Sequence, residues 1–359
     1  MQVHLLVERD RYGNPHGSGQ IRLLRPFSHP SLTECIQTTA EDDLPRTGAD
    51  VVIVERGWRA DATLESVETL VAAIRKQGAK LIYTLDDNLL DLHRGQPWHE
   101  FSTDLKRNIV RYLLRQADGV IVSTQALKQR LLKLNANIYV VPNALDERLF
   151  LNGDTAPPAP EKPAMEPLII GYMGTHSHLL DLMMVLEPLR AILREYRGKI
   201  EFQLLGVAGN GRAAQCFDAL PFRVLDTEGN HFYPDFVPWA KEHLRWDMAI
   251  APLEDNEFTR CKSDIKFLDY ALLGIPAVYS NVEAYRHTVE HGKSGLLCDN
   301  TPKAWRSALS EMAESSALRH KLALSAYEFA STYRLLRQSA LDWKVAISAI
   351  AGMPCLATI

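Results

Sequence analysis

The stretch CKSDIKFLDYALLGIPAVYS, residues 261–280, runs from a cationic start into an amphipathic segment. Ser263 or Asp264 can cap a helix beginning here, with Lys266 in its first turn. Gly274 stops that helix, Pro276 follows, and a short apolar strand begins. A helix mouth offers unpaired N–H groups and about half a positive charge. Joined by Lys262, Arg260 and Lys266, it makes an anion site suited to a diphosphate. Asp269 follows Lys266 on the same helical face, where a carboxylate can accept hydrogen bonds from vicinal hydroxyls such as those of a ribose. The competing account is a solvated Lys266–Asp269 pair on a surface helix.

Three other stretches carry residue types that do chemistry. In GYMGTHSHLLDL (171–182), Gly171 and Gly174 let backbone approach a phosphate or sugar, and Thr175, His176 and Ser177 precede a helix starting near His178 or Leu179. An ordinary strand–helix turn explains the same residues. In YTLDDNLLDL (83–92), Asp86 and Asp87 follow a strand and should sit at its carboxyl end. Asp86 can steer a hydroxyl or stabilise a developing positive charge; a helix cap or turn carboxylate is the plainer account. Gly17, Ser18 and Gly19 lie in a glycine-rich loop after the first strand, a place that touches phosphate or acceptor in many such folds. Their spacing does not make a dinucleotide fingerprint, and a plain flexible loop fits equally.

The elements that must position these residues alternate. Strands are expected at 3–7, 51–55, 80–85, 119–124 and 138–144, with helices at about 63–77, 101–116 and 125–134. Residues 152–167 have no periodicity and carry five prolines from Pro157 to Pro167, as a linker or long connection would. Alternation then resumes, with strands at 168–174, 199–206, 222–226, 247–253 and 295–299, and a helix at about 179–196. Strands separated by helices imply βαβ units and parallel sheets, which bind ligands beyond the carboxyl ends of their strands. The expected architecture is α/β: two doubly wound, Rossmann-like domains facing across a cleft. The first spans 1–151, the linker 152–167 and the second 168–335. The last helix, about 336–350, has Trp343, Ile347 and Ile350 on one apolar face.

The whole chain sets bounds. Its 359 residues suit two domains, and 46% apolar with 23% charged residues is a globular profile. A net charge of −4 gives no footprint for nucleic acid. Five scattered cysteines include no C-x-x-C pair, so neither a zinc site nor a disulfide frame is expected, and no metal site is assigned. No apolar run suits a signal peptide or a membrane span, which points to a cytoplasmic protein. Residues 94–133 hold eight Lys/Arg against three Asp/Glu, including Lys106, Arg107, Arg111 and Arg115. A solvated face explains them; contact with the inner face of a membrane or a lipid-linked diphosphate is the sharper alternative.

KSDIKFLDYALLGIPAVYS resembles the nucleotide-sugar segment of GT-B-fold glycosyltransferases of the group 1, or family-four, type. IIGYMGTHSHLLDL, WDMAIAPLEDNEFTRCKSD and HGKSGLLCD match other parts of their donor domain. KLIYTLDDNLLDL, ADGVIVSTQAL and VVPNALD match the first half, so that roughly two thirds of the chain is covered in order. The resemblance implies a last helix crossing back onto the first domain. It also implies transfer of a sugar from a nucleoside diphosphate sugar to a hydroxyl of a glycan or lipid-linked glycan in polysaccharide biosynthesis. Configuration would be retained, with neither metal nor cofactor. The family's two donor-helix glutamates fall on Cys261 and Asp269: the second keeps a carboxylate for ribose, and the first does not. Asp86 stands where many relatives have a histidine. A nucleotide-sugar epimerase on the same architecture, or a non-catalytic nucleotide-sugar-binding subunit, are the competing functions.

Overall fold

The computed structural model describes residues 1–10, 12–45, 48–92, 103–151, 166–207 and 220–354. Residues 152–165 of the proline-rich stretch and 94–102 of the basic stretch lie outside the described residues. The chain divides into two compact units. One comprises Met1–Asp146, Cys261–Ser263 and Arg334–Ile359; the other Glu147–Arg260 and Asp264–Tyr333.

The first unit is built on six parallel strands: β1 (Gln2–Leu6), β2 (Gln37–Ala40), β3 (Val51–Glu55), β4 (Lys80–Leu85), β5 (Gly119–Val122) and β6 (Ile138–Val140). Their order is β2-β1-β3-β4-β5-β6. β3 and β5 are buried throughout, as strands covered on both faces must be. The polar edge strand β2, QTTA, lacks the apolar run that marks its neighbours, and sequence reading did not anticipate it. The helix Leu64–Lys76 is held at its start by a capping box between Thr63 and Ser66.

The last helix, Leu336–Ala351, belongs to this unit. It lays Trp343, Ala346, Ile347 and Ile350 onto Val3, Leu5, Ile53, Ile82 and Ile121 of the sheet. The Trp343 ring meets Phe27 edge-on, with centroids 5.2 Å apart. The apolar face visible in the sequence is therefore the face that docks.

The second unit has β7 (Leu168–Met173), β8 (Ile200–Leu205), β9 (Arg223–Leu225), β10 (Met248–Ala251), β11 (Ala277–Ser280) and β12 (Leu296–Cys298), all parallel, in the order β12-β11-β10-β7-β8-β9. The helix Tyr233–His243 was absent from the sequence reading because Pro234 and Pro238 break its propensity. Gly171 has a different reason from the one its sequence suggested. It lies mid-strand under the Trp246 indole, which occupies the space a Cβ would need. That glycine admits a core tryptophan and not a ligand.

In each sheet the strand order reverses once, between β1 and β3 and between β10 and β7. Neighbouring crossovers diverge there, leaving a crevice beyond the carboxyl ends.

Trp343→Ala should destabilise the first unit by about 3–5 kcal/mol, the usual scale for emptying a buried aromatic site. Urea unfolding followed by circular dichroism measures it. A change under about 1 kcal/mol, well below that scale, would mean that the helix does not close the core.

Candidate functional site

At the crevice of the first sheet the chain turns sharply after β3. Arg56 and Trp58 have φ of +45° and +65°, the left-handed region that side chains disfavour. Gly57 N–H donates to Glu8 Oε1 at 2.9 Å, and Glu8 N–H donates to Glu55 Oε2 at 3.0 Å. The Arg56 guanidinium reaches Asp86 at 2.7 Å, Asp87 at 3.4 Å and Glu8 at 3.8 Å. Its carbonyl accepts from the Tyr83 hydroxyl at 2.7 Å. Burial works against the Arg56 charge, but Asp86, Asp87 and Glu8 outweigh it and raise its pKa well above the usual value. Burial lifts Glu55 to about 7, against the pull of Arg56.

Asp86 and Asp87 directly follow β4, as the sequence implied. They are not bare carboxylates. Asp86 is tied to Arg56, and its carbonyl accepts from Ser123 Oγ at 2.9 Å. Asp87 takes Lys262 Nζ at 3.2 Å. Ser263 Oγ accepts from Asn143 Nδ2 at 2.7 Å, so Lys262 and Ser263 both pair within the first unit. The Cys261 carbonyl accepts from Thr124 Oγ1 at 2.9 Å, and burial pushes its thiol up to about 11, against the effect of a side-chain hydrogen bond with Asn88. A protonated buried thiol is no nucleophile at neutral pH.

Gly17, Ser18 and Gly19 form the turn Gly17–Gly19 of a helical stretch that continues through the π turn Gln20–Leu24 and Arg25–Phe27. The loop expected here is helix. Low glycine propensity hides it, and packing decides: a Cβ on Gly19 would lie 2.5 Å from Val7 Cγ1 and 2.9 Å from Glu55 Oε2.

The crevice of the second sheet gathers Tyr172, Asp181, Glu254, Lys266 and Asp269. Tyr270 staples the two strands there: its hydroxyl donates to the Ile250 carbonyl of β10 and accepts from Met173 N–H of β7. After Gly174 come Thr175, whose hydroxyl lies 2.8 Å from Ser177 Oγ, and the 3-10 turn His176–His178. The His176 side chain lies outside the described residues. Asp181 accepts from Glu254 N–H at 2.8 Å and meets His178 Nδ1 at 2.7 Å. Burial would raise the Asp181 pKa, but His178, Glu254 N–H and Lys266 together lower it.

Asp264 precedes the helix Ile265–Leu272 but does not cap it; its carboxylate takes Thr288 Oγ1 at 2.7 Å. Lys266 Nζ lies 3.3 Å from the Tyr172 hydroxyl and 5.0 Å from the centre of its ring. Asp269 is half-buried as a residue, but its Oδ1 is fully covered and has no hydrogen-bond partner among the described residues. Burial raises its pKa to about 7, against the opposing field of Lys266. A solvated surface pair is thereby excluded.

Arg260 points elsewhere. It is exposed and paired with Asp255 at 2.7 Å. The basic helix Asp104–Gln116 is also largely committed: buried Lys106 donates to the carbonyls of Arg59 and Ala60, and Arg107 pairs with Asp104. Among the described residues no helix is long and apolar enough to cross a membrane.

Sequence reading missed Glu8, Glu55, Arg56 and Asp181. For Glu55 and Arg56 a signal existed, because a charged pair directly follows the wholly apolar VVIV of β3. For Asp181 none did, since an aspartate in a helix is ordinary.

No family model and no curated protein matches this chain. Solved structures do match in fold. HepE from Anabaena, in complex with UDP and glucose, aligns with a TM-score of 0.65 at 14% identity, covering 97% of this chain and 100% of that one. An S. aureus TarM mutant in complex with fondaparinux, alpha-GlcNAc-glycerol and UDP aligns with a TM-score of 0.59 at 11% identity, covering 82% of this chain. This chain spans 55% of that TarM chain. A putative UDP-N-acetylglucosamine 2-epimerase from Listeria monocytogenes aligns with a TM-score of 0.54 at 13% identity, covering 97% and 96%. The likeness is one of architecture, and this chain has the two-domain, Rossmann-like α/β fold of the GT-B glycosyltransferase structures.

Proposed function

We propose that this protein transfers a sugar from a nucleoside diphosphate sugar to a hydroxyl of a glycan or lipid-linked glycan, retaining configuration and without a metal. One observation carries the donor part: Asp269 Oδ1 is buried beside the switch point without a partner among the described residues. A buried carboxylate oxygen left unsatisfied costs about 1–3 kcal/mol or more. One hydroxyl of a ribose diol supplies the missing donor, and its neighbour can reach the other carboxylate oxygen. Lys266, on the same helix, is the cation for the diphosphate, and the Gly174–Thr175–His176 turn gives the backbone that faces it. Lys262 and Ser263, which pair within the first unit, remain candidates for a phosphate contact, Lys262 by exchanging Asp87 for it. Arg260 is the weakest of the cations, since Asp255 already neutralises it.

The carboxylates after β4 are assigned to the reaction itself. Arg56 holds Asp86 in one orientation. A fixed anion at a strand end can stabilise an oxocarbenium charge as the leaving diphosphate departs. In this front-face reading the diphosphate takes the acceptor's proton. Gly17–Gly19 and the basic helix remain the assignments for the acceptor's phosphate or lipid side. Structures of this fold hold UDP, which makes UDP the first probe.

UDP should raise the melting temperature, and excess chelator should leave that rise unchanged. Asp269→Asn should weaken UDP binding by about 1.5–3 kcal/mol, the scale of a hydrogen bond to a charged group. The folded carboxyl titrates near 7, and only its ionised form accepts from both hydroxyls. Affinity of the parent should therefore rise as pH passes upward through about 7, and that portion should vanish in Asp269→Asn. Calorimetry at several pH values decides; equal affinities for parent and variant would remove Asp269 from the donor site.

Asp86→Asn should lower turnover of the UDP sugar by a factor of about 10²–10³ while leaving its affinity unchanged. Turnover within about threefold of the parent would make Asp86 a turn residue, held by Arg56 for structure alone. Product analysis in the same assay separates the competing functions. An epimerised sugar would identify an epimerase, and tight binding without any turnover a binding subunit.

A further inference from the structure

Beneath the helical stretch Gly17–Gly19 and Gln20–Leu24, the first unit buries polar groups that its fold does not use. Arg22 is 2% exposed. Its Nη1 donates to the Val141 carbonyl at 2.5 Å and to Asn143 Oδ1 at 3.1 Å, and its guanidinium stacks 5.2 Å from the Trp343 ring centre. Its Nε and Nη2, the two N–H groups of the side-on fork, have no partner among the described residues. Opposite in charge is Glu55, 1% exposed, whose Oε2 serves Glu8 N–H while Oε1 has no partner. Thr84, also 1% exposed, stands beside Glu55 in register on the next strand, and its Oγ1 is likewise unpartnered. Ser18 stands against the same carboxylate, and its hydroxyl pulls the Glu55 pKa down against the effect of burial.

Arg22 lies within electrostatic range of Glu55, which neighbours Thr84 in register, and two local features place it there. A π turn, rare and often found at functional positions, carries Arg22 inward. Gly19 lets the helix settle against Glu55 where any Cβ would collide. Buried donors and acceptors left open cost free energy, so an arrangement that keeps several together calls for a partner. The charges decide which partner. An oxyanion would satisfy Arg22 but would face Glu55. A neutral vicinal diol satisfies both, since its oxygens accept from the Arg22 fork and its hydroxyl protons go to Glu55 Oε1 and Thr84 Oγ1. The carboxyl of Glu55, held near 7, can also give a proton to a hydroxyl oxygen.

We propose that Arg22, Glu55 and Thr84 form a subsite for an uncharged, hydroxyl-bearing sugar ring. This deepens the proposed function by giving the acceptor a neutral sugar at its reacting end. It rests on that reading only for the word acceptor; the subsite itself stands on the first unit alone.

The test is binding to the full chain. Methyl α- and β-glycosides of glucose, galactose and mannose, together with N-acetylglucosamine, are titrated by heteronuclear NMR while the Arg22 Nε–Hε resonance is followed. At least one sugar should shift that resonance and saturate. Glu55→Gln and Thr84→Val, which preserve shape, should each weaken its binding, Glu55→Gln by about tenfold. Sodium sulfate at matched ionic strength should not displace it. No saturable shift from any of these sugars, unchanged affinity in both variants, or displacement by sulfate each overturns the subsite. UDP affinity on the same samples reports separately on the donor reading. Its loss in the parent would sink that reading and leave the sugar result standing.

Discussion

The reversal of strand order is the constraint on which the rest of this structure depends. A parallel sheet hides its strands on both faces, so polar side chains inside the layers would be stranded. Only beyond the carboxyl ends, where the crossovers diverge, can charge be buried at tolerable cost. Both sheets place their charge there. The first carries Glu8, Glu55, Arg56, Asp86 and Asp87 after β1, β3 and β4. The second carries Asp181, Glu254 and Lys266 around β7 and β10.

The two crevices treat charge differently, and the difference suits different ligands. Around Arg56 the carboxylates are paired with cations, Arg56 itself and Lys262, so the cluster is rigid, and its carboxylates outnumber its cations. Such a site pre-orients a few carboxylates and has little net pull on an anion. Around Asp269 the pairing is incomplete among the described residues. Asp181 is fully engaged, Lys266 rests on a tyrosine, and Asp269 keeps one covered oxygen without a partner. In the first unit only the Arg56 cluster is satisfied; beside it Arg22, Glu55 and Thr84 keep hydrogen-bonding capacity unspent among the described residues.

Backbone strain falls at the same place. Arg56 and Trp58 occupy left-handed conformations directly after β3, and their turn is fastened by Gly57 N–H to Glu8 and by Tyr83 to the Arg56 carbonyl. Strain of this kind persists only where the surroundings over-determine it. Here it aims the Arg56 guanidinium along the strand ends toward Asp86, which ordinary extended backbone would not do.

What the sequence by itself determined is local and periodic. The apolar runs VVIVE and KLIYTL make buried strands, and the helix expected at about 63–77 forms at Leu64–Lys76. The apolar stripe through Trp343 faces the core, and Asp86–Asp87 end a strand. Each of these follows from side-chain spacing within a few residues. Only the tertiary structure decided how the buried charges pair. Arg22 meets Asn143 across 121 positions, and Lys262 meets Asp87 across 175. It turned the Gly17–Gly19 loop into helix, sent Arg260 to Asp255, and left Asp269 half-buried instead of solvated. Propensity and periodicity carry no information about such contacts. A buried charge takes its partner from whatever the fold brings within about 3 Å, and that distance is set by the packing of whole elements.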